Sequence, residues 1–233
     1  MKKILITTNR YKEFDKYIKN KEIIPFPTIK IVPIPFEIDI KNYDFFIFTS
    51  VNTVKFFFEK VKPDLLKNKT LIAVGEKTAQ RLKELGFKEI LIPKEFKAEG
   101  IVKLIENNWD RFKGKSILIP QAKVGRDIIL KHFEDKKINI KTVPVYETIG
   151  NTPENKEEVR KMLNSKQIET VVFTSPSTFY NFLKIFDKEI FKNVKIAVIG
   201  ETTKKAVEKE GLKVDIMPEK FTFEELSKLI TAS

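Results

Sequence analysis

The sequence contains no cysteine and a single histidine, and these absences remove several kinds of chemistry. Without cysteine there are no disulfides, no thiolate nucleophiles and no zinc sites built from cysteine and histidine. The one histidine, His132, lies in the helical pattern 127–133, where we interpret it as an ordinary residue of a helix surface and not as part of a Ser-His-Asp triad. Any catalysis must therefore use other side chains.

Long apolar runs are also missing. No run reaches the roughly 18 residues that a membrane span needs. The basic start Met1-Lys2-Lys3 is followed by only three apolar residues before Thr7, so no signal-peptide core is present. We predict a cytoplasmic protein with no membrane segment.

Basic residues outnumber acidic ones, 44 to 32, which gives a formal net charge of +12. This balance favours an acidic partner: nucleic acid, a membrane surface, or a small polycarboxylate or polyphosphate. The lysines are spread over mixed Lys/Glu runs such as 94–97 and 204–210, and no nucleic-acid-binding motif occurs. Neither a P-loop nor a Gly-x-Gly-x-x-Gly fingerprint is present. Charge alone does not choose among the remaining partners, and without a recognisable motif we expect no binding of nucleic acid.

An internal repeat organises the chain. The stretch 48–105 aligns without a gap on 173–230, at an offset of 125 positions, with 18 identities in 58 pairs. Unrelated sequences of ordinary composition would give about 4. The repeated residues include Phe48-Thr49-Ser50 with Phe173-Thr174-Ser175, Gly75-Glu76 with Gly200-Glu201, Pro93 with Pro218, and Phe96 with Phe221. Duplication is the economical explanation, and it predicts two similar domains.

Short apolar runs rich in β-branched and aromatic residues alternate with longer amphipathic stretches. This pattern predicts helices at 53–60 and 77–85, the second closed by Gly86. The predicted strands are 3–7, 45–48, 71–74, 90–92, 115–119, 170–173, 195–199 and 214–217. Strands that alternate with helices indicate an α/β fold with doubly wound parallel sheets.

Two apolar stretches, 31–36 and 142–146, contain proline and lie outside the repeated units. Proline cannot donate a ladder hydrogen bond, so we expect these stretches to be edge or connecting strands that form paired linkers.

Four loops stand where predicted strands enter helices: 49–53, 75–78, 174–178 and 200–203. In open parallel sheets, ligands bind beyond the carboxyl ends of the strands. Each loop offers free backbone N–H groups together with hydroxyl or amide side chains, which can hold a carboxylate or a phosphate. The plainer interpretation is N-capping, because Ser, Thr and Asn are favoured at any helix start. Repetition in both copies favours anion binding.

No acid–base pair is evident, because Asp and Glu simply alternate with Lys along the predicted helices. Tyr146 differs, since it ends a proline-bearing strand and combines an apolar ring with a phenol that can donate a hydrogen bond. A tyrosine that only packs within the linker is the alternative of equal weight.

Several short motifs, in this order and spacing, resemble the uroporphyrinogen-III synthase family over nearly the whole chain. They are Phe48-Thr49-Ser50 with the helix at 56–58, Ala73 to Ala79, Gly86 to Pro93, Val143 to Thr148, Phe173 to Ser177, and Ile199 to Thr203. The resemblance implies two flavodoxin-like doubly wound parallel-sheet domains joined by a two-stranded β-ladder, with a cleft that holds the substrate. Domain 1 would comprise 1–35 and 149–233, domain 2 would comprise 38–145, and the linkers would lie at 31–37 and 142–148.

The resemblance also implies a reaction. Hydroxymethylbilane, a linear tetrapyrrole with eight carboxylates, would lose water and cyclise with inversion of its last pyrrole ring through a spiro intermediate, as a step in haem, sirohaem and cobalamin biosynthesis. Such a lyase needs no cofactor and no metal. It would act as a monomer, in transient contact with hydroxymethylbilane synthase. A two-domain binder that closes on an anionic ligand without turnover is the alternative.

By the same resemblance, Tyr146 matches the family tyrosine thought to assist departure of the hydroxyl group. The predicted substrate-binding residues, which would hold acetate and propionate groups, are Ser50, Asn52, Thr78, Ser175, Ser177, Thr202, Thr203, Arg10 and Arg126. The chain departs from the family pattern at two places. Thr7-Thr8-Asn9 precedes Arg10 where Thr-Arg often follows the first strand directly, and Gln121-Ala122 stands at a frequent Arg-Gly.

Overall fold

The computed structural model of the protein describes residues 2–125 and 127–233. Ten strands and nine α-helices lie within these ranges. The strands are β1 (Lys3–Ile6), β2 (Glu22–Pro25), β3 (Ile29–Pro33), β4 (Phe45–Phe48), β5 (Thr70–Ala73), β6 (Ile90–Leu91), β7 (Ser116–Ala122), β8 (Asn139–Gly150), β9 (Ile168–Phe173) and β10 (Lys195–Val198). The α-helices are α1 (Val51–Lys60), α2 (Glu76–Glu84), α3 (Ala98–Asn107), α4 (Trp109–Phe112), α5 (Ile128–His132), α6 (Lys156–Asn164), α7 (Pro176–Leu183), α8 (Glu201–Lys209) and α9 (Phe223–Ala232).

The chain divides into two compact units, each with a parallel sheet. Unit 1 comprises Met1–Lys30 and Ile149–Ser233, and its four strands lie in the order β10-β9-β1-β2 with every neighbouring pair parallel. Unit 2 comprises Ile31–Thr148. The six-stranded sheet has the order β3-β8-β7-β4-β5-β6, and its pairs from β8 to β6 are parallel. Parallel pairing brings the carboxyl ends of neighbouring strands to one edge of each sheet.

Both faces of each sheet are covered, which is why the strands read as continuous apolar runs. In β4, Phe46 and Phe48 point into one core of unit 2, whereas Phe45 and Ile47 point into the other. In β9, Val171 and Phe173 point into one core of unit 1, whereas Val172 points into the other. Full burial of each such side chain stabilises the fold by about 1.5–3 kcal/mol.

The expectation of an α/β fold with parallel sheets is confirmed, but two of its details are wrong and one strand was not predicted. Residues 142–146 are not an edge strand, because β8 lies between β3 and β7. Its Pro144 is accommodated beside a shift of register between Gln121 and Ala122 of β7. Residues 214–217 form only a single bridge, from Ile216 to Ala197. No pattern in the sequence predicts β2, which has only two apolar residues between a glutamate and a proline.

Candidate functional site

A cavity of about 350 Å³ lies at the carboxyl edge of the sheet in unit 2. Its lining comes from the residues that follow β4, β5 and β7, from the starts of α3 and α5, and from β8. This is the edge at which a doubly wound sheet binds its ligands. Among the predicted site residues, Ser50 and Tyr146 are brought together in this lining. Asn52 and Thr78 belong to the same unit but are not part of the described lining.

Tyr146 lies half-buried on β8 and is held by its neighbours. Its ring packs against Phe56 with 5.3 Å between ring centroids, and its carbonyl accepts a hydrogen bond of 2.8 Å from the backbone N–H of Lys123. Within residues 2–125 and 127–233, no group hydrogen-bonds its hydroxyl. Because the hydroxyl has no partner there, it is available to donate a hydrogen bond to a ligand in the cavity. The packing of the ring does not need the hydroxyl, since a phenylalanine ring would pack equally well.

Ser50 is the N-cap of α1 and forms a reciprocal capping box with Thr53. The backbone N–H of Thr53 donates to Ser50 Oγ at 3.2 Å, and that of Ser50 donates to Thr53 Oγ1 at 3.1 Å. The box satisfies the third N–H of the helix and leaves those of Val51 and Asn52 without an intrahelical acceptor. No acidic residue lies in the first turn, so this helix start can still accept an anion.

Ser175 repeats this arrangement in unit 1, as the N-cap of α7. The two reciprocal hydrogen bonds with Thr178 are each 3.3 Å long. Pro176 opens the helix and has no N–H, so the free donor of this turn is the N–H of Ser177. Ser177 is exposed, and its hydroxyl reaches solvent.

Thr78 and Thr203 are the third residues of α2 and α8 and are only 4% and 3% exposed. These helices begin at Gly75 and Gly200, so no side chain caps them. No residue in the described part of the chain hydrogen-bonds either threonine hydroxyl. Neither hydroxyl oxygen is fully buried, so both can reach a ligand at the sheet edge, and both threonines are candidates for ligand contact. Thr202 is exposed beside the second of them.

Arg10 lies after β1 in unit 1 and already has two contacts. Its guanidinium is 4.5 Å from the centroid of the Phe223 ring and 3.1 Å from the carboxylate of Glu13. Arg126 lies outside the described residues. His132 is on α5, 2.8 Å from the Glu106 carboxylate, and agrees with the prediction of a helix-surface residue.

The described lining of the cavity is not strongly basic. It contains one lysine, Lys97, together with the carboxylates of Glu99 and Asp127. Lys97 also lies 3.2 Å from Glu95, and hydrogen bonds from Lys103 and Lys97 lower the pKa of Glu95 below its usual value. This part of the cavity therefore favours an uncharged group with a few hydrogen bonds over a cluster of carboxylates.

Several cavity residues were missed by the sequence analysis. Phe96, Gln121 and Asp127 line the cavity, and Gln121 Nε2 lies 3.5 Å from Asp127 Oδ1. A signal was present for Phe96, because it is identical to Phe221 across the repeat. Gln121 and Asp127 stand outside the repeated stretches; Gln121 was marked only as a departure from the Arg-Gly of the family, and no signal marked Asp127.

No three or more His, Asp or Glu side chains in residues 2–125 and 127–233 are grouped so that they could hold a metal ion. No helix in these ranges is long and apolar enough to cross a membrane.

Comparison with known proteins points to one family. The family described as uroporphyrinogen-III synthase HemD matches residues 18–228. The uroporphyrinogen-III synthase of Chlorobaculum parvum is 32% identical over 248 residues, which cover 99% of this chain and 98% of the relative. The crystal structure of uroporphyrinogen-III synthetase from Helicobacter pylori superimposes with a TM-score of 0.69 at 24% identity, covering 100% of this chain and 99% of that one. A mutant uroporphyrinogen III synthase from Thermus thermophilus has the same fold, with a TM-score of 0.54 at 15% identity and coverage of 100% and 97%.

Proposed function

Since the chain belongs to the uroporphyrinogen-III synthase family, we propose that it catalyses the cyclisation of hydroxymethylbilane to uroporphyrinogen III. The observation that carries this proposal is the relative of 32% identity, which is matched over almost its full length. The two proteins therefore share the whole fold and not an isolated binding module.

The reaction breaks the C–O bond of the terminal hydroxymethyl group, and the departing oxygen takes up a proton and leaves as water. We assign to Tyr146 the hydrogen bond that assists this departure. Support comes from its place in the cavity lining and from its hydroxyl, which has no partner in the described part of the chain. The new carbon–carbon bonds form between parts of one bound molecule. The main task of the protein is then to hold the conformation that leads to ring inversion.

We propose that the carboxylates of the substrate bind at helix starts in both units. The free N–H groups of Val51, Asn52 and Ser177 support this, because the first turns of α1 and α7 contain no acidic side chain. Further contacts are assigned to Thr78, Thr202 and Thr203. The two proposed cations of the site are Arg10 and Arg126, and the net charge of +12 would steer the octacarboxylate toward the protein.

We further propose that each unit is a flavodoxin-like domain. In unit 1, the order β2-β1-β9-β10 followed by the bridge at Ile216 supports the flavodoxin order 2-1-3-4-5. In unit 2, the order β8-β7-β4-β5-β6 supports the same arrangement if β7 is counted as the first strand. The proposed domains are 1–35 with 149–233 and 38–145, joined at 31–37 and 142–148 by a two-stranded ladder.

The proposed enzyme is a lyase, because it eliminates water from its substrate. We propose that it acts in the cytoplasm as a monomer and needs no cofactor. Hydroxymethylbilane cyclises readily without an enzyme, so a transient contact with hydroxymethylbilane synthase would shorten the time available for the uncatalysed reaction.

An isomer-resolved assay tests the proposed function. Hydroxymethylbilane is incubated with the protein, the products are oxidised to porphyrins, and isomers I and III are separated by chromatography. We expect isomer III. If the only product is isomer I, formed at the rate seen in buffer, the proposed function is wrong and the non-catalytic binder becomes the better hypothesis.

The role of Tyr146 is tested with Tyr146→Phe in the same assay. Loss of one hydrogen bond to the departing oxygen is expected to lower kcat about tenfold with little change in KM. The control is Tyr17→Phe, which removes a phenol that is 40% exposed in unit 1 and outside the cavity. Equal kcat values for the two variants would assign Tyr146 to packing alone.

A further inference from the structure

Two repeated phenylalanines, Phe96 and Phe221, stand apart from the other aromatic residues that the repeat preserves. Phe48 with Phe173, and Phe57 with Phe182, are fully buried in the cores. Phe96 and Phe221 are 58% and 56% exposed. Burial explains why the first two pairs have remained aromatic in both copies, but it cannot explain the third pair.

Both exposed rings are held in the same local setting. Each follows a buried proline by three residues, Pro93 in one copy and Pro218 in the other, so the segment is anchored while its ring faces solvent. Each ring lies over a strand-exit glycine. A Cβ atom built on Gly75 would be 3.6 Å from Cγ of Phe96, and one built on Gly200 would be 3.1 Å from Cγ of Phe221. An anchored ring loses little conformational entropy when it binds a ligand.

The helix starts beside these rings attract a carboxylate less strongly than the Ser-capped ones do, although the hydroxyls of Thr78, Thr202 and Thr203 can still donate hydrogen bonds there. Glu76 and Glu201 are the first residues of α2 and α8, where their own carboxylates already interact with the helix dipole. The first turns of α1 and α7, in contrast, have no acidic residue. The loops at each sheet edge therefore differ in what they attract: the Ser-capped helix start attracts an anion, and the loop with glycine and phenylalanine attracts an apolar group.

The cavity of unit 2 contains both kinds of contact. Phe96 lines it together with Ser50 and Tyr146. Its volume of about 350 Å³ lies at the lower end of the range for small-molecule sites, which suits one substituted ring better than a whole tetrapyrrole.

From these observations we propose that Phe96 and Phe221 bind pyrrole rings of the substrate, each through contact between its exposed face or edge and the ring. The inference rests on the proposed function, because it takes a linear tetrapyrrole as the ligand. Pyrroles are electron-rich aromatic rings, and aromatic pairs favour offset-stacked or edge-to-face contacts. Each subsite then recognises a ring through phenylalanine and the attached acetate or propionate through a helix start.

The test compares Phe96→Ala, Phe221→Ala and the double variant with Leu65→Ala. Leu65 is a matched control, because it is also 58% exposed in unit 2 but does not line the cavity. Anaerobic titration calorimetry with uroporphyrinogen III measures Kd at several salt concentrations, and the isomer assay measures KM. Removal of one aromatic contact is expected to raise Kd and KM about tenfold, and the double variant about a hundredfold.

The salt series separates this contact from charge effects. Loss of an apolar contact shifts Kd by the same factor at every salt concentration, whereas loss of an ionic contact changes the slope. Phe96→Leu is expected to bind with an affinity between those of the wild type and Phe96→Ala. If the phenylalanine variants bind within twofold of Leu65→Ala while the wild type forms isomer III, the inference is overturned and the proposed function stands.

Other outcomes are equally decisive. If the wild type forms no isomer III but binds uroporphyrinogen III, and the phenylalanine variants bind it about tenfold more weakly, the proposed function fails and the ring contact stands. If the wild type neither forms isomer III nor binds this tetrapyrrole, both fail. If Kd rises only in step with loss of folded protein in a denaturation curve, the rings have a structural role and the inference is overturned.

Discussion

The two copies of the repeat are nearly superimposable at one helix start and different at the next. The capping residues Ser50 and Ser175 have φ and ψ of −160° and 163° in one copy and −160° and 159° in the other. The strand-exit glycines do not match: Gly75 has φ 98° and ψ 160°, whereas Gly200 has φ −176° and ψ 178°. Identical residues at equivalent positions therefore have different physical roles.

The difference lies in why each glycine is needed. At Gly75 the backbone is in a region that essentially only glycine adopts. At Gly200 the backbone is extended and open to any residue, but the space is limited, because a Cβ would approach the Phe221 ring to 3.1 Å. One copy thus requires glycine for its conformation, whereas in the other a Cβ would only crowd a ring.

The largest effect on stability is expected from Gly75→Ala. The substitution forces a residue with a Cβ into a glycine-only conformation, at a cost of about 2 kcal/mol in the free energy of unfolding. Gly200→Ala is the matched comparison and is expected to cost about 0.5 kcal/mol or less, since the half-exposed Phe221 ring can move by a few tenths of an ångström. Chemical denaturation of both variants gives the two values. Equal losses would mean that the two loops do not differ in strain.

A smaller and symmetrical effect is expected from the caps. Ser50→Ala and Ser175→Ala each remove an acceptor from the N–H of the third helical residue and should each lower the free energy of unfolding by about 1 kcal/mol. Ser50→Thr, which keeps a capping hydroxyl, is the control. A difference of more than about 1 kcal/mol between the two alanine variants would show that the matching geometry conceals unequal surroundings.

Local elements of the fold could be predicted from the sequence. The apolar run at 45–48 predicts β4 with its observed bounds, and Ser50 and Ser175 carry a capping signal that the structure bears out. The resemblance to the uroporphyrinogen-III synthase family, read from motifs at several points along the chain, is confirmed. These features depend on residues that are near one another in the sequence, or on a match to known sequences.

The rest depends on contacts between distant parts of the chain. The cavity draws its lining from positions between 49 and 146, and no local pattern predicts that Gln121 and Tyr146 will share it. The interior position of β8 is set by pairing on both sides, which overrides the preference of Pro144 for an edge. The exposure of Phe96 is likewise a tertiary property, because the same residue type is fully buried at Phe48.

The smallest expected effect is on the pH dependence of stability, and it concerns two lysines at matching positions of the repeat, Lys103 and Lys228, which have different partners. Lys228 on α9 lies 2.8 Å from Glu225 and 2.9 Å from Glu224 of its own helix, whereas Lys103 on α3 pairs with Glu95 in the segment that carries Phe96. Hydrogen bonds from these lysines lower the pKa of Glu225 and contribute to lowering that of Glu95. A carboxylate with a lowered pKa contributes stability that is present above its ordinary value of 4.5 and is lost as the pH falls below it.

Lys103→Ala and Lys228→Ala should therefore each make the free energy of unfolding fall less between pH 7 and pH 3. Because all of these charged groups are exposed, this difference from the wild type should disappear in 1 M salt. The two variants should differ in hydrogen exchange. Lys103→Ala is expected to speed hydrogen exchange in the segment 94–97, because it removes the ion pair between Glu95 of that segment and α3. Lys228→Ala should leave the exchange rates of the equivalent segment 219–222 unchanged. If Lys103→Ala leaves exchange in 94–97 as unchanged as Lys228→Ala leaves it in 219–222, the ion pair with Glu95 does not help to hold Phe96 in place.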